Sequence, residues 1–310
     1  MLRQVVRRFA ALELKPVVAC ELEFYLVAEA AGPDGAPVLP RSFRLAGEPA
    51  EPEAFLHDRL EEQEPFLERV ERWGDAQQLP LKSVLPEYAP GQLEINLAHR
   101  DDPLRAADEA LMLKRLVKAA ARATGQRATF MAKPFPQHAG CGLHVHVSLV
   151  DRDGRNAFAE APDGEDRLRH ALGGLAAGMA EAMLIFAPNA NGYRRLRPLS
   201  YAPMAPTWGR NNRTVALRVP ASGPAARRIE HRVAGADANP YLVVAAVLAG
   251  ILHGLATRAD PGAETTGNAY TTVPPSLPAT WEAALAAFAA EILPTYLGER
   301  FCRLYAACRQ

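Results

Sequence analysis

The sequence predicts an α+β fold built on an antiparallel sheet. Two observations carry that expectation. Helical and extended patterns are intermixed without regular βαβ alternation, which disfavours a parallel doubly wound sheet. In addition, three short runs place charged or polar side chains at alternate positions of an otherwise apolar stretch. These are Glu21 and Glu23 in VVACELEFYLV, His144, His146 and Ser148 in GCGLHVHVSLV, and Arg228, Glu230 and Arg232 in RRIEHRV. Residues two apart on a strand share a face. Cys20, Leu22, Phe24 and Leu26 therefore oppose the two glutamates. Leu143, Val145, Val147 and Leu149 oppose the histidines. Ile229, His231 and Val233 oppose the charges of the third run. One such strand is an ordinary solvent-facing sheet edge; three of them, carrying carboxylate, imidazole and guanidinium, point to one polar floor built for metal and phosphate.

In chain order, residues 2–14 read as an amphipathic helix closed by Pro16, and the first strand follows. AGPDGAPVLP (31–40) is turn-rich and reads as a hairpin loop. Residues 51–73 are helical and charged. Residues 81–98 hold two strands around a Pro90-Gly91 turn. Residues 103–124 form a strong amphipathic helix. Strands are expected at 127–133 and 142–150, and a Gly/Ala-rich helix at 165–186 closed by Pro188. The stretch 188–212, rich in Pro, Asn, Gly and Arg, reads as a long functional loop. Strands at 213–219 and 228–233 precede a buried helix at 240–257, a Thr/Pro-rich loop at 260–279, and helices at 279–291 and 294–308. There is no internal repeat.

Composition narrows the function. The chain has 310 residues, 49% hydrophobic, enough for a sizeable core. Lys+Arg and Asp+Glu each number 35, so the global basic footprint of a nucleic-acid binder is absent. The four cysteines show no CxxC spacing and read as reduced thiols. No membrane span is expected, and MLRQVVRRFAALEL reads as an amphipathic helix rather than a signal peptide, so a cytoplasmic protein is expected.

The chemistry-bearing residues cluster by type. Glu87 and Glu94 flank Pro90-Gly91, so a turn can return both carboxylates to one place, near Glu21 and Glu23. Hard oxygen ligands favour Mg²⁺ or Mn²⁺, and adding imidazole leans toward Mn²⁺, Zn²⁺ or Fe²⁺. Four glutamates and a histidine of the HVH strand can fill two neighbouring sites. The Gly-rich AGCGLH (139–144) lets backbone approach a ligand closely, yet it is neither a Walker loop nor a GxGxxG turn. Arg194, Arg195, Arg197, Arg210, Arg213, Arg218, Arg227, Arg228 and Arg232 lie close together in sequence, with Glu230 and Asp237 as the only nearby acids. Arginine recognises carboxylate and phosphate bidentately, so the run reads as a cradle for a polyphosphate and a substrate carboxylate.

Taken together, these motifs resemble the catalytic domain of the glutamine synthetase family. The family's Glu-x-Glu strand is matched by Glu21-Leu-Glu23, and its Glu-x-x-Pro-Gly-Gln-x-Glu motif by Glu87 to Glu94. Its ATP signature, Lys-Pro followed by Gly-x-Gly-x-His-x-His-x-Ser, is matched by Lys133-Pro134 and Gly140 to Ser148. The loop at Asn191 to Leu196, the Asn212-Arg213-Thr214 and Arg218-Val-Pro220 strand, Arg227 to Arg232, and Ala238 to Leu242 follow in family order, and residues 277–288 and 297–305 look like the family's C-terminal helices. The resemblance implies that residues 1–310 form one catalytic domain, a curved, mainly antiparallel sheet flanked by helices, without the family's N-terminal β-grasp domain. It implies an ATP-dependent ligase that joins the γ-carboxylate of glutamate to an amine, working with two or more Mg²⁺ or Mn²⁺ ions and, in the full-length family form, as a homo-oligomeric ring.

The resemblance also implies roles. Glu23, Glu87 and Glu94 would hold one ion, and Glu21, His144 and Glu230 a second between ATP phosphates. Gly140, Arg195 and Arg232 would bind glutamate. Arg213, Arg218 and Arg228 would stabilise phosphates, with His146 and Ser148 near the nucleotide. Arg213 and Glu230 are the expected catalytic pair. The sequence departs from the family at three places: Tyr201 replaces the ammonium-side flap glutamate, Ala225 an adenine-side lysine, and Ala139 an asparagine. Loss of the flap carboxylate suits the branch that joins glutamate to larger amines, the γ-glutamylpolyamine and γ-glutamylamide synthetases, with Tyr201 and Trp208 on the amine side. Glutamine synthetase proper, using ammonium, is one alternative, and a truncated inactive or regulatory paralogue is the other.

Overall fold

The computed structural model describes residues 1–40, 58–61, 63–159 and 163–310. Among the described residues, eight strands make one open sheet: β1 (Lys15–Ala28), β2 (Leu81–Pro86), β3 (Gln92–Leu97), β4 (Gln126–Thr129), β5 (Leu143–Val150), β6 (Trp208–Arg210), β7 (Leu217–Val219) and β8 (Ile229–His231). Their order is β2-β3-β1-β5-β8-β7-β6, with β4 also paired to β1. Every pairing is antiparallel except β6–β7, so the sheet is mixed rather than purely antiparallel. The parallel step is short. Asn211 takes the left-handed conformation (φ 50°), and Asn212 Oδ1 accepts from the Thr214 N–H (2.9 Å) and hydroxyl (2.7 Å). That polar turn replaces the extended backbone expected at 213–216.

The alternation in β1 sorts its two faces. Val18, Cys20, Leu22, Phe24 and Leu26 are buried in the core, while Glu21 and Glu23 point to the other side. Helices cover the core face: Pro103–Ala123 packs on β1, and Pro240–Thr257 packs against Leu2–Phe9, Pro103–Ala123 and Gly164–Gly178. Both long helices start on an asparagine or aspartate followed by proline. Asp102 Oδ1 accepts from the Leu104 N–H (3.0 Å), and Asn239 Oδ1 from the Tyr241 N–H (3.0 Å); each cap is worth about 1 kcal/mol. The Pro240–Thr257 helix is long and apolar enough to cross a bilayer, contrary to the sequence expectation, but 67% of it is buried and it serves as the core helix.

The glycines of the Gly/Ala-rich helix have a packing reason. At its crossing with Pro240–Thr257, a methyl on Gly174 would overlap the Gly250 carbonyl oxygen and the Gly254 backbone, and one on Gly254 would overlap the His170 carbonyl oxygen. The helix itself ends at Gly178 and resumes as Met183–Phe186, not as one run to 186. Between them, the buried Glu181 carboxylate accepts from the Glu291 and Ile292 N–H groups (3.0 and 2.9 Å). Other bounds also shift. Leu2–Phe9 is followed by a 3₁₀ turn, Ala10–Leu12. The expected 127–133 strand shortens to β4, and the 228–233 strand to β8. The 188–212 loop contains a short helix (Ala190–Tyr193) and β6. The C-terminal helices are Trp281–Ala287, Ile292–Leu297 and Glu299–Ala307, the last two split at Gly298 (φ 93°). Of the expected 51–73 helix, residues 51–57 and 62 lie outside the described residues; Asp58–Glu61 and Glu64–Ala76 are helical. After β1 the chain turns back, with the Ala28 N–H donating to Val38 O (2.7 Å) around a 3₁₀ turn at Pro33–Gly35.

Candidate active site

Sheet register builds the polar floor. Across β1–β5, Glu21 faces His144; across β1–β3, Glu23 faces Glu94; across β5–β8, His146 faces Glu230. Directly opposed residues have Cβ atoms about 5 Å apart, so three cross-strand pairs share one surface. Glu87 joins them from the turn beyond β2. Its N–H donates to Gln92 O (2.9 Å), and Gly91 supplies the positive φ (74°) that reverses the chain into β3.

The contacts within the cluster are close. His144 Nδ1 lies 2.6 Å from Glu21 Oε1 and 3.7 Å from Glu230 Oε1, and its Nε2 lies 3.7 Å from Glu23 Oε1. His146 Nε2 lies 3.2 Å from Glu21 Oε2, and Arg228 Nε donates to His146 Nδ1 (3.2 Å). Glu230, 1% exposed, accepts from Arg218 Nη1 (2.7 Å) on one oxygen and from Arg232 on the other. Two groups of donors can each close on one ion: Glu21, His144 and Glu230, and Glu23, Glu94 and His144, with the ligand atoms of each group within 4.8 Å of one another.

The electrostatics divide the acids. Burial by itself raises a carboxyl group, and two of the glutamates overcome it. The Glu230 carboxyl is held down at about 2, because Arg232, His146 and His144 outweigh its burial. Glu21 lies well below the ordinary range because hydrogen bonds from His144 and His146 outweigh burial. The other two rise. Burial and the charges of Glu23 and Glu21 push Glu87 up to about 7, and burial and the neighbouring Glu21 push Glu94 up to about 11. The donor set therefore carries more carboxylates than its own cations can neutralise.

The glycine loop shapes the next wall. A methyl on Gly140 would meet Ala132 O and Arg195 Cγ, each at 2.7 Å; one on Gly142 would meet His144 Nε2 (2.8 Å) and Arg195 Nη2 (2.9 Å). The Gly-x-Gly spacing is thus what lets Arg195 and His144 lie against backbone. Arg195 is fixed through Nη1 to Val233 O (2.7 Å) and Nη2 to Arg232 O (3.2 Å). The Gly142 N–H donates to Glu23 Oε2 (2.7 Å), and Gln92 Nε2 to Gly140 O (3.0 Å).

Glu21, Glu23, Glu87, Glu94, Gly140, His144, Arg195, Tyr201, Arg213 and Arg232 all line one cavity of about 350 Å³. Arg218 and Arg228 reach the cluster through Glu230 and His146, and Ser148 lies one pleat beyond His146 on the same face of β5. Trp208 is a correction. It does not line the cavity; it is 2% exposed, donates Nε1–H to Gly262 O (3.2 Å), and has the Arg169 and Arg210 guanidinium groups within 6 Å of its ring (5.7 and 5.5 Å). It anchors the 260–265 loop as a core residue. Arg210 also leaves the expected arginine cradle, pairing with Glu264 (2.7 Å) and Glu165, acids too distant in sequence to be anticipated. Tyr88, Gln92 and Ser200 line the cavity without having been singled out. For Gln92 a signal existed, since period two puts it on the face of Glu94.

The residues fit a divalent ion. Five carboxylate and imidazole donors form the two groups, Glu87 lines the same cavity, and burial and the neighbouring glutamates push the Glu87 and Glu94 carboxyls up. The Nε–H groups of Arg218 and Arg232 are buried without an acceptor among the described residues, which suits an anionic ligand beside the ion.

A family profile described as "Glutamine synthetase, catalytic domain" matches residues 1–310. The chain belongs to the glutamine synthetase family. Members of that family depend in general on ATP and divalent metal. The chain is 42% identical over 299 residues to γ-glutamylputrescine synthetase PuuA of Escherichia coli (strain K12), covering 96% of this chain and 63% of that protein. It is 39% identical to γ-glutamylethanolamide synthetase GlnA4 of Streptomyces coelicolor (75% and 52% covered), and 35% identical to a glutamate–isopropylamine ligase of a Pseudomonas species (88% and 60%). The chain thus spans about three-fifths of the length of these relatives. Among solved structures, apo GmaS without ligand superposes with a TM-score of 0.85 at 30% identity, covering 99% of this chain and 70% of that one. The GmaS/ADP complex gives 0.86 at 29% identity.

Proposed function

We propose that the protein is an ATP-dependent ligase that joins the γ-carboxylate of glutamate to an amine through a γ-glutamyl phosphate. The observation that carries this reading is the convergence of Glu21, Glu23, Glu87, Glu94 and His144 in one cavity also lined by Arg195, Arg213 and Arg232, with Glu230 closing on Glu21 and His144 behind it. The names of the relatives, each a γ-glutamyl–amine synthetase or ligase, support it. We take residues 1–310 as one catalytic unit, cytoplasmic, of a kind that assembles as a homo-oligomeric ring in the full-length family form.

In the first step a γ-carboxylate oxygen of glutamate forms a bond to the γ-phosphorus of ATP as the bond to ADP breaks. In the second, the amine nitrogen forms a bond to the acyl carbon, the C–O bond to phosphate breaks, and a proton is released. Glu23, Glu87 and Glu94 would hold one Mg²⁺ or Mn²⁺, and Glu21, His144 and Glu230 another. Such ions neutralise phosphate charge and position the transferring group. Arg195 and Arg232, fixed at the floor, orient the substrate carboxylate. Arg213, at the open side of the cavity, stabilises charge on the phosphoryl group, and Arg218 and Arg228 extend positive potential along the β5–β8 face, with His146 and Ser148 on the nucleotide side. Glu230 positions Arg218 and Arg232 by occupying both, which keeps their remaining N–H groups aimed at ligand. Tyr201 sits on the amine side in place of a carboxylate.

The test is phosphate release by the intact protein with ATP, glutamate and a panel of amines under Mg²⁺ or Mn²⁺. Release that requires both glutamate and a primary amine supports the reading. Release with ammonium as the preferred nucleophile would return the protein to glutamine synthetase proper, and no glutamate-dependent release would leave an inactive paralogue.

A further inference from the structure

Two tyrosines share the open side of the cavity. Tyr88 and Tyr201 both line it, and their ring centroids lie 5.9 Å apart at 57°. They remain 43% and 49% exposed, unusual for large aromatic side chains in mutual contact. They come from opposite sides of the site. Tyr88 follows Glu87 in the turn beyond β2. Tyr201 belongs to the Pro198–Ala202 segment between Arg195 and β6.

That second segment is held in a costly conformation. Leu199 and Tyr201 both adopt left-handed backbone (φ 59° and 57°), which non-glycine residues rarely take. Leu199 is also 72% exposed, so no burial of its side chain offsets the strain. The conformation is fixed by hydrogen bonds. Ser200 Oγ lies within donating distance of Arg195 O (2.9 Å) and Arg197 O (2.6 Å), and Tyr270 Oη–H donates to Ala202 O (3.1 Å). Strained backbone persists where surrounding contacts over-determine it, and such residues gather at ligand-binding sites. Here the result of the strain is the Tyr201 ring laid against the Tyr88 ring.

We propose that Tyr88 and Tyr201 form one aromatic wall that selects the acceptor amine. The ligand class is a primary amine with an apolar stem: the amino group enters toward Glu87 and the stem lies along the two rings. The ring faces attract the positive end of an entering alkylammonium by cation–π interaction and bury its methylenes, neither of which an ammonium ion with no stem can exploit in full. Tyr88 is thereby a specificity-determining residue. The inference rests on the ligase reading and deepens it by naming the acceptor class.

The experiment compares kcat/KM for n-propylamine with kcat/KM for ammonium in the intact protein, at saturating ATP and glutamate. The variants are Tyr88→Ala, Tyr88→Phe and Tyr201→Ala, with circular dichroism and a thermal melt to establish folding; the exposure of both rings makes folded variants the expectation. The wall requires that wild type favour propylamine and that Tyr88→Ala and Tyr201→Ala each cut the propylamine/ammonium ratio about tenfold or more, chiefly through the KM for propylamine. Tyr88→Phe keeps the ring and should keep the ratio. Folded alanine variants that turn over both amines with the wild-type ratio would overturn the wall while leaving the ligase reading in place. Absence of any glutamate-dependent product in wild type, with hydroxylamine as well as with both amines, would overturn the ligase reading and the wall with it.

Discussion

Glu21 and His144 face each other across β1 and β5, and their side chains meet at 2.6 Å between Oε1 and Nδ1. This contact ties the Glu-x-Glu strand to the His-x-His strand at the centre of the floor. It leaves His144 Nε2 turned toward Glu23 (3.7 Å), so a single imidazole faces both groups of acids.

Removing Glu21 should therefore weaken metal binding more than removal of an outlying acid does. Loss of groups that merely orient metal ligands costs about 10–100-fold in affinity, and Glu21→Ala should exceed that range for Mn²⁺, read by isothermal titration calorimetry. Mn²⁺ affinity within threefold of wild type would remove Glu21 from the ligand set.

Metal binding should also strengthen with pH. A carboxyl whose folded pKa is raised keeps its proton in the folded protein above the ordinary value of 4.5, so its contribution to stability is full below that value and is lost as pH rises through the folded pKa. For Glu87 that loss runs from about 4.5 to about 7, and for Glu94 it continues toward about 11. A cation that displaces a proton from Glu94 gains about tenfold in affinity per pH unit across pH 6 to 8. The rise in Tm on adding Mn²⁺ should accordingly be larger at pH 8 than at pH 5.5. An equal rise at both would show that ion binding displaces no proton from these acids.

Arg213 is exposed and lines the cavity, so it can be removed with little cost to the fold. Arg213→Ala should lower kcat by about 100–1000-fold, the usual loss for one transition-state donor, with an unchanged thermal melt. Near-wild-type turnover would refute its assignment to the phosphoryl group.

The helix crossing at Gly174 and Gly254 gives a stability prediction independent of the site. Gly254→Ala puts a methyl on the His170 carbonyl oxygen, and overpacking of this kind costs about 1–3 kcal/mol. A chemical-denaturation midpoint equal to wild type would show that the two helices can separate freely.

Much of the site was legible because a strand alternates its side chains whatever its partners are. Glu21, Glu23, His144, His146 and Glu230 follow from period two, and the register then makes neighbours of them. What the sequence did not disclose depends on contacts between distant segments. Trp208 reads as an amine-side residue from its place near Tyr201, yet its ring is claimed by Gly262 and Arg169. Arg210 is taken by Glu165 and Glu264. Asn212 bends residues 213–216 away from the extended form that their β-branched and apolar character suggests. Tyr88 carries no periodic signal at all, because it sits in a turn and acquires its neighbour Tyr201 only in three dimensions.

The most direct test of the central claim follows an oxygen atom. Glutamate labelled with ¹⁸O in its γ-carboxylate is turned over with ATP and propylamine by the intact protein, and the released phosphate is examined by mass spectrometry. A γ-glutamyl phosphate intermediate transfers one carboxylate oxygen to phosphate at each turnover, so the account predicts one ¹⁸O per phosphate, in step with amide formed. Phosphate released in step with amide but carrying no ¹⁸O would contradict it.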